Sequence, residues 1–237
     1  MNKKDTNRIK FMNTYIDSLT SIEAINIVDG FVRGGRPRYV VTPNSDIVMK
    51  MQRDEGLLKA CNDADLILTD GQILVKLASF LGMTIKERIP MTDFIWDVLN
   101  LADEKGYGVC LFGGQEEILQ RGTEKIKKKY PNLKIVDSYS PKFGFEKDEE
   151  DLKIVLERLK NSKADILLVF LGCPKQEKFL AAYYKYIQIP VSITMGGCID
   201  FIGNKKIMRA PKWMQNIGLE WFFRFIMEPK RLFKRYF

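Results

Sequence analysis

The chain has no histidine among its 237 residues. Proton transfer near neutral pH therefore falls to carboxylates, Lys, Tyr or Cys, and imidazole-based triads and metal sites are excluded. Asp70 is the carboxylate best placed for such work, in Asp70-Gly71 directly after the apolar run Asp65-Leu66-Ile67-Leu68-Thr69. At the end of a buried strand it could take the proton of a substrate hydroxyl. The competing reading is that it caps the helix that follows Gly71. Four more groups of glycines and polar residues stand behind apolar runs: Thr42-Pro43-Asn44, Gly113-Gly114, Gly172-Cys173-Pro174-Lys175-Gln176-Glu177 and Gly196-Gly197. Glycines in such places permit close backbone approach and, ahead of helices, offer N–H groups to a phosphate. Neither G-x-G-x-x-G nor G-x-x-x-x-G-K-[ST] occurs, which disfavours an NAD-dependent dehydrogenase or a P-loop ATPase. The four cysteines, Cys61, Cys110, Cys173 and Cys198, form no C-x-x-C pair and read as reduced, mostly buried thiols.

The elements that must position these residues alternate between strand and helix. Strands are expected at 39–42, 65–69, 108–112, 134–138, 164–171 and 190–195. Helices are expected at 46–61, 73–81, 93–105, 116–130 and 147–162. That alternation predicts an α/β fold with a Rossmann-like, mostly parallel sheet flanked by helices. The polar groups then share the carboxyl edge of the sheet, where open α/β folds bind ligands.

Charge is not spread evenly. From Lys205 onward there are nine basic residues against Glu220 and Glu228, so nearly all of the net charge of +8 sits in the last stretch. In residues 230–237, Leu232, Phe233, Tyr236 and Phe237 fall on one side of a helix, and Lys230, Arg231, Lys234 and Arg235 on the other. This is the pattern of a helix lying in an interface, and each basic residue near an anionic surface contributes roughly 1 kcal/mol. Packing of these aromatics on the domain core is the alternative. No RNA-binding signature accompanies the charge, so nucleic acid is not an expected partner. No run reaches the roughly 18 apolar residues of a membrane span, and the N-terminus has no signal-peptide core. The expected location is cytoplasmic, with peripheral attachment to the inner membrane face.

Taken in order, Thr42-Pro43-Asn44, Asp70-Gly71, Arg88-Ile89-Pro90-Met91-Thr92-Asp93, Leu111-Phe112-Gly113-Gly114, Leu171 to Glu177, Gly196 to Phe201 and the Arg209 to Arg231 segment resemble the WecG/TagA/CpsF glycosyltransferases, glycosyltransferase family 26. The resemblance covers almost the whole chain. It implies transfer of a sugar, most often N-acetylmannosamine, from a UDP-sugar to an undecaprenyl-diphosphate-linked GlcNAc acceptor in wall teichoic acid or other surface polysaccharide synthesis. It also implies an inverting mechanism without a metal or other cofactor. Residues 1–204 would be the Rossmann-like transferase domain, and 205–237 a basic aromatic appendage that closes the site and touches the anionic membrane. A homo-oligomer remains open.

Residue by residue, the resemblance makes Asp70 the catalytic base. Thr42 and Asn44 would hold the sugar, Arg88 a donor or acceptor phosphate, and Gln176 the donor. Asp200 would accept from uracil or ribose, while Gly113, Gly114 and Gly197 would line the donor pocket. Arg224 and Arg231 match the appendage arginines. Glu177 goes with Gln176, although a Lys175–Glu177 pair on an exposed helix start would look the same. Phe143-Gly144-Phe145 is either an aromatic face for uracil or core packing, and Trp213, Trp221, Phe222, Phe223 and Phe225 divide between domain packing and lipid contact. The competing class is a catalytically inactive UDP- or lipid-binding regulatory protein of the same fold.

Overall fold

The computed structural model describes residues 7–204 and 209–227. An antiparallel hairpin, β1 (Arg8–Phe11) and β2 (Thr14–Asp17), precedes the main sheet and stands apart from it. Asp17 fastens this hairpin to the rest of the molecule. Its buried carboxylate receives two Arg8 guanidinium N–H groups and the Ile67 backbone N–H, each at 2.7 Å.

The other strands are β3 (Arg38–Val41), β4 (Leu66–Ile67), β5 (Val109–Gly113), β6 (Ile135–Tyr139), β7 (Ile166–Phe170) and β8 (Val191–Thr194). They form one sheet in the order β4-β3-β8-β7-β5-β6, with every pairing parallel. The expected α/β architecture is therefore present. Period-two alternation along each strand divides its residues between two cores. Ile166, Leu168 and Phe170 face one layer of helices, α1 (Ser21–Gly34), α5 (Met91–Lys105), α6 (Glu116–Lys129) and α9 (Cys198–Gly203). Leu167 and Val169 face the other, α2 (Ser45–Met51), α3 (Glu55–Asn62), α7 (Glu149–Asn161) and α8 (Lys175–Ile187). Covered on both faces, β5 and β7 read as unbroken apolar runs, while β8, between β3 and β7, also buries Ser192 and Thr194. A smaller core joins the hairpin to α4 (Gln72–Phe80) through Phe11, Ile16, Leu74 and Ala78. The described C-terminal helices are α10 (Lys212–Ile217) and α11 (Glu220–Met227).

Two differences from the sequence reading have local causes. The single helix expected over 46–61 is two, because the Asp54 side chain accepts from the Leu57 N–H at 2.9 Å and starts a new helix there. The hairpin and α1 were not among the expected elements. Helix α1 nevertheless opens on a capping box between Thr20 and Glu23 and ends on left-handed Gly35.

Helix α9, which follows β8 and carries Asp200, is pressed onto α6 through glycines. A Cβ at Gly203 would lie 2.1 Å from the Ile118 carbonyl oxygen, whereas one at Gly122 would meet the tip of the Ile199 side chain at 2.5 Å. Backbone cannot yield as a side-chain tip can, so Gly203→Ala is expected to lower stability by about 1–3 kcal/mol despite alanine's better helix propensity. Gly122→Ala should cost less. Urea unfolding midpoints compare the pair, and a Gly203→Ala midpoint at or above wild type contradicts this packing.

Candidate active site

With all six strands parallel, the loops that follow β4, β3, β8, β7 and β5 leave the sheet on one edge, side by side in that order. Helix α2 after β3 packs on one face of the sheet and α9 after β8 on the other. Neighbouring strands whose connections diverge in this way leave a crevice between them. The five polar groups found in the sequence all lie along this edge.

Asp70 stands at its β4 end. Its backbone N–H donates to the Pro43 carbonyl at 3.2 Å, which draws the β3 and β4 loops together. Its Oδ1 accepts from the Met91 N–H, the first residue of α5, at 3.0 Å. The cap reading thus applies to a different helix from the one expected: Gly71 is the N-cap of α4, which has no side-chain cap, and Asp70 instead meets the positive end of α5. Asn44 is adjacent, since a Cβ on Gly71 would lie 3.5 Å from the Asn44 Cβ. The Asn44 Oδ1 caps α2 by accepting from the Ile47 N–H at 3.1 Å. Thr42 is buried, and its hydroxyl is used between strands, lying 3.0 Å from the Thr194 carbonyl and 3.2 Å from the Thr194 hydroxyl.

Along the middle of the edge, Gln176 and Glu177 are both buried, at 2% and 1% exposure. The exposed Lys175–Glu177 pair of the sequence reading does not form, because Lys175 pairs with Glu146 at 2.8 Å and Glu177 points inward. The Gln176 amide donates to Glu177 Oε1 at 2.9 Å, and its oxygen accepts from the Gly196 N–H at 3.0 Å. One side chain thus ties the β7 and β8 loops together. Burial pushes the Glu177 carboxyl well above the usual carboxylate range, against the opposing hydrogen bond from Gln176. Its Oε2 is a buried oxygen without a hydrogen-bond partner.

The glycines serve two ends. Gly113 adopts φ 102° where a Cβ would sit 2.9 Å from a Leu171 methyl and 3.0 Å from the Phe170 carbonyl carbon, so the β5 loop passes close to the β7 loop. Beside it, the Gly114 carbonyl accepts from the Ser140 hydroxyl at 2.7 Å. Gly197 is exposed at the start of α9, and Asp200 lies half-buried in the first turn of that helix. Phe145 is core, edge-on to Phe112 and Phe179, while Phe143 is exposed under the Lys175 ammonium.

The C-terminal segment brings charge to the Asp70 end. Arg209 makes a bidentate pair with Asp93 on α5, its Nη2 at 2.8 Å from Oδ2, and its Nε is 3.7 Å from Glu220. Asp93 first, then Glu220 and Asp70, hold its guanidinium above the usual arginine value. Arg88 donates to the Gln215 carbonyl at 3.2 Å and stands 4.0 Å from the other Glu220 oxygen. A cleft of about 340 Å³ opens beside the Arg209–Asp93 pair, with Trp96, Cys198 and Phe201 among its walls. Arg209, Asp93 and Glu220 were not singled out from sequence as site residues, although all three stand within the segments that carry the resemblance. The side chain of Arg224 and the whole of Arg231 lie outside the described residues, as do the faces of the 230–237 segment.

The sequence model of the glycosyl transferase WecG/TagA/CpsF family matches residues 9–237. A Bacillus subtilis (strain 168) protein named N-acetylglucosaminyldiphosphoundecaprenol N-acetyl-beta-D-mannosaminyltransferase is 32% identical over 193 residues, covering 81% of this chain and 72% of its own length. Proteins of the same name from Bacillus spizizenii (strain ATCC 23059 / NRRL B-14472 / W23) and Staphylococcus aureus (strain MW2) are 28% and 27% identical, over 98% and 97% of this chain and 86% and 89% of their own.

The buried Glu177 generates a pH prediction. A carboxyl whose folded pKa is raised binds more protons folded than unfolded, so its contribution is full below the unfolded value of about 4.3 and is lost as pH rises toward the folded one. Glu177→Gln keeps the acceptor for Gln176 and removes the charge. The variant should therefore gain stability relative to wild type as pH increases from about 4.3 to neutrality. Urea midpoints taken across that range test this, and parallel pH profiles for the two proteins contradict it.

Proposed function

The chain belongs to the glycosyl transferase WecG/TagA/CpsF family, and on that premise we propose that it transfers N-acetylmannosamine to an undecaprenyl-diphosphate-linked N-acetylglucosamine, as its relatives' names describe, with a UDP-sugar as the donor. The observation that carries the reading is the Asp70 carboxylate, held at the ligand-binding edge by the Met91 N–H and lying in the field of Arg209. In the proposed reaction an acceptor hydroxyl attacks the anomeric carbon while Asp70 takes the hydroxyl proton. The bond from that carbon to the UDP oxygen breaks, its electron pair leaves on the diphosphate, and the anomeric centre inverts. Asn44, next to Asp70, would orient the sugar; Gln176 and Thr42 would act by holding the β7, β8 and β3 loops in place.

The leaving diphosphate is met by guanidinium groups. Arg88 and Arg209 are engaged by Glu220 and Asp93, and a diphosphate binds by competing with those carboxylates for the same N–H groups. Stabilisation of the developing charge by arginines and backbone N–H groups needs no divalent ion. Arg224 and Arg231 would join them from the tail, which would also hold the protein on an anionic inner membrane face. No helix among the described residues is long and apolar enough to cross a membrane.

Incubating the full chain with UDP-N-acetylmannosamine and a synthetic polyprenyl-diphosphate-GlcNAc should give the disaccharide product by mass spectrometry. Asp70→Asn should slow turnover by about 100-fold or more with UDP affinity preserved; wild-type turnover in that variant removes Asp70 as the base. UDP binding without product from any acceptor would instead favour a non-catalytic binding protein. Turnover should also persist in EDTA, and complete loss restored by Mg²⁺ or Mn²⁺ would contradict catalysis by arginines alone.

A further inference from the structure

Helix α4 is apolar on two sides. Leu74 and Ala78 are buried against the hairpin core, while Ile73, Leu77, Phe80 and, at the C-cap, Leu81 are exposed, Phe80 by 86%. The exposed set recurs at i, i+4, i+7 and i+8, which is one face of a helix. That face continues into the C-terminal helices. A Cβ on Gly218 would lie 3.5 Å from the Ile73 side chain, and the Lys76 ammonium donates to the Ile217 carbonyl at 3.2 Å. On α10, Ile217 and Trp213 are exposed by 49% and 62%. Soluble proteins rarely leave contiguous apolar surface of this kind uncovered.

Charge selects the occupant. From Gln72 to Lys86 the chain has no acidic residue, and its charges are Lys76 and Lys86, the latter paired with Glu23 at 2.7 Å. Helix α10 adds Lys212, and the sequence on either side of the described C-terminal helices is basic. Two copies meeting through this face would bring like charges together, whereas an anionic bilayer offers both an apolar interior and countercharge. We infer that the exposed face of α4, continuous with α10, is itself a membrane-docking surface that inserts Phe80, Leu81 and Leu77 among the acyl chains of an anionic bilayer. It extends the proposed reading, in which the acceptor is lipid-linked, from the basic tail to an element of the sheet domain. Helix α4 begins two residues after Asp70, so docking through it holds the catalytic edge at the depth of the acceptor's diphosphate while the prenyl chain stays in the bilayer.

The test uses the full chain and vesicles of phosphatidylglycerol with phosphatidylcholine, compared with phosphatidylcholine alone. Phe80→Glu should weaken co-sedimentation with the anionic vesicles by about tenfold or more. Leu81→Glu, a second exposed position, should act in the same direction. Ile154→Glu on α7, also exposed, serves as the control and should leave binding unchanged. Turnover of a water-soluble short-chain acceptor by Phe80→Glu should equal wild type, and turnover of a vesicle-embedded acceptor should fall. Vesicle binding by both α4 variants equal to wild type overturns the inference. So does a wild-type dimer in sedimentation velocity that Phe80→Glu dissociates while vesicle binding persists, which would assign the face to a second copy. Absence of turnover by wild type with every acceptor would count against the proposed reaction, and the vesicle comparison would still decide the docking face.

Discussion

Parallel pairing is the constraint from which the rest of this molecule follows. A parallel strand can be succeeded only through a crossover, so every strand of the six ends on the same edge and every polar loop is delivered there. Burial of both sheet faces then leaves that edge as the place where polar side chains from distant parts of the sequence can meet. The connections that carry Asp70, Asn44, Gln176 and Asp200 lie on one edge for this reason. Nothing in their local sequence attracts one to another.

Within the edge, three polar groups are held by neighbours from different loops or strands. Asp70 is fixed by the first N–H of α5, Gln176 spans from the β7 loop to Gly196, and Thr42 bridges β3 and β8. Such cross-loop bonds pre-set the geometry before any ligand arrives, which is where catalytic sites gain most. The arginines are held differently, by carboxylates a phosphate can displace. Arg88 from the β4–α5 connection and Arg209 from the C-terminal segment share Glu220, and Arg209 also takes Asp93. The edge and the C-terminal helices are thereby coupled through ion pairs that a diphosphate would rearrange.

Much of this was legible in the sequence, for identifiable reasons. The unbroken apolar runs of β5 and β7 follow from burial on both faces, and the glycines behind them mark the turns. The Asp54 break between α2 and α3 was harder to read because no proline stands there and the nearby glycine, Gly56, lies inside the first turn of α3. The short strands of the hairpin, four residues each, carry too little periodicity to stand out. The α1 capping box was readable and was passed over. Other features belong to tertiary structure alone. Glu177 reads as a charge at an exposed helix start, and only the packing of α8 against α3 and β3 puts it in the core. Asp70 reads as a cap for the next helix in sequence, while its partner is a helix that begins 21 residues later. Arg209 lies 116 residues from Asp93, a separation at which no local pattern reports a contact.

The central claim is that the carboxyl edge at β4, β3 and β8 binds the donor, with Asp70 at the reacting carbon. A crystal structure of the full chain with a non-hydrolysable UDP-sugar analogue tests it most directly. The account predicts the nucleotide in the crevice between the β3 and β8 loops, its diphosphate hydrogen-bonded to Arg88 or Arg209 in place of their carboxylate partners, and the Asp70 carboxylate on the opposite side of the anomeric carbon from the leaving oxygen. A nucleotide bound away from this edge, or a sugar with Asp70 beyond the reach of an attacking hydroxyl, would contradict it.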